Sequence, residues 1–193
     1  MKAKKLPPSQ TDPAFIREYL IRIGEDPDRE GLGETPRRVV DSWKEIYGGY
    51  AEDPRAILRV SFTAGACKEL VLLKGIEFYS TCEHHMLPFF GTADVGYIPD
   101  GRVIGISKLA RVVDLYSRRL QIQEQLTAQV ADAIWECLVP RGVTVVMRAR
   151  HLCMMARGVQ KQNSIMVTSA IRGLFETDAA LRAEFLELTK EAR

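Results

Sequence analysis

Two short stretches hold the side chains best suited to chemistry, Cys82-Glu83-His84-His85 and His151-Leu152-Cys153, and between them they contain all three histidines of the chain. Zinc prefers nitrogen and sulfur ligands in tetrahedral geometry, and Cys-x-x-His in a turn lets both side chains converge on one ion. Residues two apart on a strand share a face, so His151 and Cys153 also reach a common point if they sit on one strand. They continue the alternating row Val143, Val145, Met147, Ala149, which would put an ion at the margin of an apolar core. Ligation by Cys82, His85 and Cys153 leaves a fourth position for water, as hydrolytic zinc sites require. It also leaves His84 and His151 free for proton transfer near neutral pH. Two rival readings stand beside this one. One is a closed structural zinc site that adds His151 as fourth ligand; the other is a metal-free set of buried thiols and core histidines.

A second group of residues is suited to an anionic, base-bearing ligand. Ser107 reads as a helix N-cap, with Lys108 and Arg111 one turn apart, so amide donors, helix dipole and charge would converge on phosphate. Arg157, just after the second metal stretch, could grip phosphate with its planar fork. The plainer reading of Lys-x-x-Arg is a solvated basic face. Gln123 and Glu124 lie together, and a carboxylate can accept from two adjacent N–H groups, such as N1 and the exocyclic amine of guanine. A helix-surface Glu is otherwise only solvated. Cys137 falls on an apolar stripe and Cys67 has no histidine near it; neither receives a role.

Composition sets the frame for these groups. A chain of 193 residues, 46% hydrophobic and 27% charged, suits one globular domain with a small appendage. The net charge of +2 does not favour nucleic acid as the main partner. No run approaches the ~18 consecutive apolar residues of a membrane helix. Residues 1–12 read as a flexible tail without a secretory core segment, so a cytoplasmic location and reduced thiols are expected.

Periodicity then supplies the positioning elements. Asp12-Pro13 opens a helix to about Gly24, with Phe15, Tyr19, Leu20 and Ile23 at helical spacing. Thr35-Pro36 opens a second, ended by Gly48-Gly49. These make an N-terminal helical part over 13–60. From 61 to 193 the pattern predicts strands over Leu70–Tyr79 and Gly91–Pro99, with Cys82 to Pro88 as a tight turn. Helices follow from Ser107 and over Gln123–Leu138. Strands over Val143–Cys153 and Ser164–Phe175 come next, and a helix over Asp178–Thr189 closes the chain. Strands paired on each side of paired helices predict an α+β fold with a mainly antiparallel four-stranded sheet and helices on one face. Alternating βαβ units are the lesser alternative.

Taken in order, the motifs resemble those of the GTP cyclohydrolase I family. They are Asp26-Pro27 with Arg29-Glu30-Gly31-Leu32, Thr35-Pro36 with Arg38-Val39, and Ser80-Thr81-Cys82-Glu83-His84-His85. Gly105-Ile106-Ser107-Lys108-Leu109-Ala110-Arg111 and Gln123-Glu124-Gln125-Leu126-Thr127 follow, and His151-Leu152-Cys153-Met154-Met155-Ala156-Arg157-Gly158 comes last. The resemblance implies a tunnelling-type fold assembled as a toroidal homodecamer with sites at subunit interfaces. It implies zinc-dependent hydrolysis of GTP to formate and 7,8-dihydroneopterin triphosphate, the entry to folate and pterin synthesis. It also implies Cys82, His85 and Cys153 as ligands, His84 as proton donor to the purine imidazole ring, and His151 as a second proton-handling residue near the ribose. Gln123 and Glu124 match the guanine-recognising pair, with the Ile106 backbone nearby. Ser107 matches a residue of the ribose steps, and Lys108, Arg111 and Arg157 match triphosphate contacts. The stretch Ser61 to Lys68 departs from the family pattern and leaves its own contacts open.

Overall fold

The computed structural model describes residues 12–59, 61–63 and 67–190; apart from Asp12, the expected tail lies outside them. Helix α1 (Pro13–Arg22) starts where the sequence indicates. The Asp12 carboxylate accepts from the Ala14 amide at 2.9 Å, and Pro13 occupies the first turn, where no amide partner is needed. Its buried line is Ile16 and Leu20, packed against α2 (Thr35–Ile46). The expected face was wider: Phe15, Tyr19 and Ile23 are each more than half exposed, because α2 covers only a narrow line of α1.

Three short pieces that the sequence reading did not separate bring the chain to the core: a 3-10 turn (Gly48–Ala51), α3 (Pro54–Leu58) and β1 (Ser61–Thr63). Leu58 enters the core at 2% exposure. Gly49 lies so close to the next helix layer that a Cβ would stand 1.9 Å from the Leu115 carbonyl oxygen. Arg119 ties the same contact. Its guanidinium donates to the Gly49 carbonyl at 2.8 Å and rests over the Tyr116 ring, 4.7 Å from its centroid.

The main sheet is built by β2 (Val71–Cys82), β3 (Pro88–Ile98), β6 (Gly142–His151) and β7 (Met166–Gly173), antiparallel in that order. It has a fifth strand where four were expected. The two-residue β5 (Leu120–Gln121) pairs in parallel beside the end of β2 and is too short to leave a periodic signal. A separate ribbon pairs β1 with β4 (Arg102–Ile104).

Alternation in β6 carries the core. Val143, Val145, Met147 and Ala149 are at most 2% exposed and face α5 (Gln123–Leu138), whose Leu126, Val130 and Ile134 are fully buried. α4 (Ile106–Ser117) joins the same layer through Leu109, Val112 and Val113. Helices were expected on one face only, and here the structure differs. α7 (Leu174–Thr177) and α8 (Ala179–Leu188) put Phe175 and Phe185 against Ile98 and Val146 in a second cluster. Val146 alternates with Val145 and Met147, so that cluster lies on the opposite face.

Two boundaries matter for the chemistry. Gly105, extended at φ −60° and ψ 136°, occupies the N-cap of α4, so Ser107 sits inside the first turn and is not the cap. β6 ends at His151, and the chain turns at once into α6 (Leu152–Met155). Cys153 is therefore not on the strand, and the shared-face argument for His151 and Cys153 does not hold.

Candidate metal centre and its surroundings

Cys82 is the last residue of β2, and the turn after it is closed by the backbone. The Cys82 carbonyl accepts from the Met86 amide at 2.8 Å, and the Cys82 amide donates to the Leu87 carbonyl at 2.9 Å. Met86 takes a left-handed conformation, φ 53°, which a non-glycine residue adopts at some cost. Folded this way, the turn brings the Cys82 Sγ within 3.8 Å of the His85 Nδ1. β5 braces it from the side, through Cys82 opposite Gln121 and the Glu83 amide donating to the Gln121 carbonyl at 3.0 Å.

The second stretch arrives through strand register. Phe89, at the start of β3, pairs opposite His151, at the end of β6, so the chain leaving β6 emerges beside the β2–β3 turn. The first turn of α6 then swings Cys153 round. The ligand atoms of Cys82, His85 and Cys153 all lie within 4.8 Å of one another. A tetrahedral zinc ion with bonds of about 2.3 Å to sulfur and 2.0 Å to nitrogen holds those atoms about 3.6 Å apart. The 3.8 Å between Cys82 and His85 fits that spacing with little adjustment. Two thiols and one imidazole are the donors a borderline-soft ion selects, so the residues present suit zinc better than a harder cation.

Burial pushes the Cys153 thiol up, the adjoining Cys82 sulfur pushes it further, and the Arg157 guanidinium opposes both. A cation held between the sulfurs would oppose that upward shift and favour the Cys153 thiolate. Arg157 is held close by donating to the Cys153 carbonyl at 3.3 Å.

His84 is exposed and outside the three-ligand group. Its Nδ1 lies 4.0 Å from the Cys82 Sγ and its Nε2 3.8 Å from a Glu83 carboxylate oxygen. His151 is half-buried, stacked on Phe89, with its Nε2 2.8 Å from the Gln123 Oε1. Burial lowers its pKa, and the nearby Glu124 charge opposes that shift. His151 also stands outside the ligand group, which leaves the closed four-ligand arrangement without geometric support.

The expected base-reading pair splits in two. Glu124 is exposed and close enough to His151 for its charge to be felt. Gln123 is fully buried, and its amide nitrogen is 3.1 Å from each of the Met147 carbonyl, the Met166 carbonyl and the Thr168 hydroxyl. At the start of α4, Ile106, Ser107 and Arg111 are exposed and Lys108 is half-buried. No hydrogen bond or ion pair among the described residues joins these four to the metal group. Arg111 instead lines an open cleft of about 410 Å³ with Lys44 and Arg118 among its walls. The sequence reading passed over Phe89 and Thr168, whose relation to His151 and Gln123 arises from strand pairing and leaves no local signal.

Comparison with known proteins follows the same lines. The family model for GTP cyclohydrolase I matches residues 13–190. A protein of Wolinella succinogenes named GTP cyclohydrolase 1 is 57% identical over 186 residues, covering 96% of this chain and 97% of that relative. One of the same name from Helicobacter pylori is 54% identical over 176 residues, covering 91% and 98%. A solved structure of an archaeosine synthase QueF-Like in the apo form aligns with a TM-score of 0.43 at 24% identity, over 54% of this chain and 93% of that one.

Proposed function

The chain belongs to the GTP cyclohydrolase I family, and from that premise we propose that it hydrolyses GTP to formate and 7,8-dihydroneopterin triphosphate at a zinc centre held by Cys82, His85 and Cys153. The observation that carries this reading is the convergence of those three donors, from two widely separated stretches, with His84 beside Cys82 and His151 two residues before Cys153. When bound, zinc supplies Lewis acidity that makes water nucleophilic at neutral pH.

The chain's own residues do the rest. C8 of guanine is a poor electrophile until N7 is protonated, and His84, exposed beside the ligand group, is the donor for that proton. Glu124 accepts from N1–H and the exocyclic amine, with the Ile106 backbone completing the guanine contact beside Gln123. His151, whose pKa burial lowers, handles the proton of the ribose rearrangement, and the Ser107 hydroxyl assists. Lys108, Arg111 and Arg157 anchor a triphosphate that stays unbroken, so they act in binding and not in phosphoryl transfer.

We assign the sheet and its helices to the tunnelling-type fold, with an N-terminal helical part over 13–60 and the catalytic domain over 61–193. Assembly into a toroidal homodecamer accords with the exposed Phe15, Tyr19 and Ile23 of α1 and the open edge of β7, where Val167 is 59% exposed. Among the described residues no helix is long and apolar enough to cross a membrane.

The test is a product assay with GTP and metal-loaded protein. Formate and a pterin that becomes fluorescent on oxidation are expected. Conversion of GTP to GDP without a pterin would remove the proposal. Glu124→Ala should lower kcat/KM for GTP and erode its preference over ITP; retained preference would move base recognition elsewhere.

A further inference from the structure

Gln121 is the second residue of β5 and is buried, although glutamine is seldom a core residue. Its backbone and its side chain hold different parts of the fold. The backbone lies opposite Cys82 in the parallel pairing with β2, and its carbonyl accepts from the Glu83 amide at 3.0 Å. The carboxamide nitrogen donates to the Tyr116 carbonyl at 2.9 Å and to the Gln129 Oε1 at 2.8 Å. Tyr116 lies in the last turn of α4, where a continuing helix would bring the Leu120 amide to its carbonyl; that amide donates to the Tyr50 hydroxyl instead, at 3.0 Å. A flipped carboxamide would set its oxygen against the Tyr116 carbonyl oxygen, so the side chain has one orientation and both of its protons are used. Gln121 thus joins the end of α4, the middle of α5 and the end of β2 at one buried point.

The turn after Cys82 depends on that point. Glu83, His84, His85 and Met86 are all exposed, so burial does not hold them. The bonds from the Met86 amide to the Cys82 carbonyl and from the Cys82 amide to the Leu87 carbonyl shape the turn, yet leave it free to swing as a unit on the end of β2. Among the described residues, the only backbone hydrogen bond that ties residues 83–86 to another part of the fold runs from Glu83 to Gln121.

We propose that Gln121 is a positioning residue of the metal centre: its locked carboxamide fixes β5 to α4 and α5, and its carbonyl thereby holds the turn that carries Cys82 and His85 at the spacing a metal ion requires. The proposal rests on the reading of Cys82, His85 and Cys153 as ligands. Without the two side-chain bonds, a two-residue strand has little to keep it in register. The Glu83 amide then loses its acceptor, and His85 spreads away from Cys82 and Cys153. Gln121 is not itself in the ligand group, so its effect falls on metal affinity.

The experiment measures zinc affinity of the folded protein by chelator competition, together with the ligand-field spectrum of the cobalt(II)-substituted form. It compares wild type, Gln121→Met and Phe185→Leu. Methionine keeps the length of the side chain and loses both donors. Phe185→Leu lowers overall stability from the cluster on the opposite face of the sheet. Gln121→Met should weaken zinc binding about tenfold, the lower end of the range for partners that orient ligands, and should lower the intensity of the tetrahedral cobalt bands. Phe185→Leu should keep wild-type affinity and bands despite a lower urea midpoint. Wild-type affinity in Gln121→Met would reduce Gln121 to packing and overturn the proposal. Equal weakening in Phe185→Leu would tie affinity to overall stability and overturn it as well. Should Gln121→Met fail to fold, Gln129→Met removes one of the two acceptors. It should weaken zinc binding several-fold, and an unchanged affinity overturns the proposal. A wild-type protein that holds neither zinc nor cobalt would sink the ligand reading and the proposal with it, a result visible before any variant is compared.

Discussion

The rings of Phe89 and His151 lie face to face, with centroids 4.5 Å apart and planes within 3°. The two residues are register partners across β3 and β6, so a strand pairing far from either chain end sets the tilt of the His151 imidazole. Phe89 is fully buried, and the contact couples core packing to the site. Phe89→Leu should cost about 1–2 kcal/mol of stability through imperfect repacking and also lower turnover. Urea unfolding and a pterin assay would measure both. Lost stability with unaltered turnover would show that the stack has no part in placing His151.

Metal content separates ligands from neighbours. Cys82→Ala, His85→Ala and Cys153→Ala should each strip the ion, whereas His84→Ala should keep about one per chain, as a three-ligand site requires. Elemental analysis of the purified variants decides this. Equal loss from His84→Ala and His85→Ala would make His84 a ligand, against its position outside the three-atom group.

Acid should weaken the metal-free fold partly through His151. Burial holds its pKa in the folded chain below the ordinary histidine value, with Glu124 only partly opposing. The unfolded chain therefore binds the proton first. The associated stability is fully present above the ordinary value, about 6.5, and is lost as pH falls towards the lower folded value. Chemical denaturation of the metal-free protein from pH 7.5 to 5.5 should show that decline, and His151→Gln should flatten it. An identical slope in the variant would assign the decline to other groups.

Gly91 tests the pairing that delivers the second stretch. A Cβ there would stand 1.8 Å from the Arg148 carbonyl oxygen, a backbone atom that can move only if β3 and β6 separate. Gly91→Ala should destabilise by about 3 kcal/mol or more, the upper range for overpacking, with metal content falling alongside. Wild-type melting behaviour would mean that the strands can part without consequence.

The sequence determined what depends on neighbours along the chain. α5 begins at Gln123 and ends at Leu138 as its periodicity predicts, and Asp12-Pro13 starts α1, because capping and amphipathic spacing are local properties. The three donors that the fold gathers were legible for a related reason: cysteines and histidines clustered in two short stretches need little context to be read as a candidate metal set. Tertiary structure alone decided how those stretches meet. Cys153 reaches Cys82 and His85 from the first turn of α6 and not along β6, because the strand ends one residue after Arg150 and the helical turn redirects the chain. It alone also turned Gln123 inward. Whether a helix residue faces a ligand or the core depends on which carbonyls of β6 and β7 lie beneath it, and strand pairing across the sheet sets that.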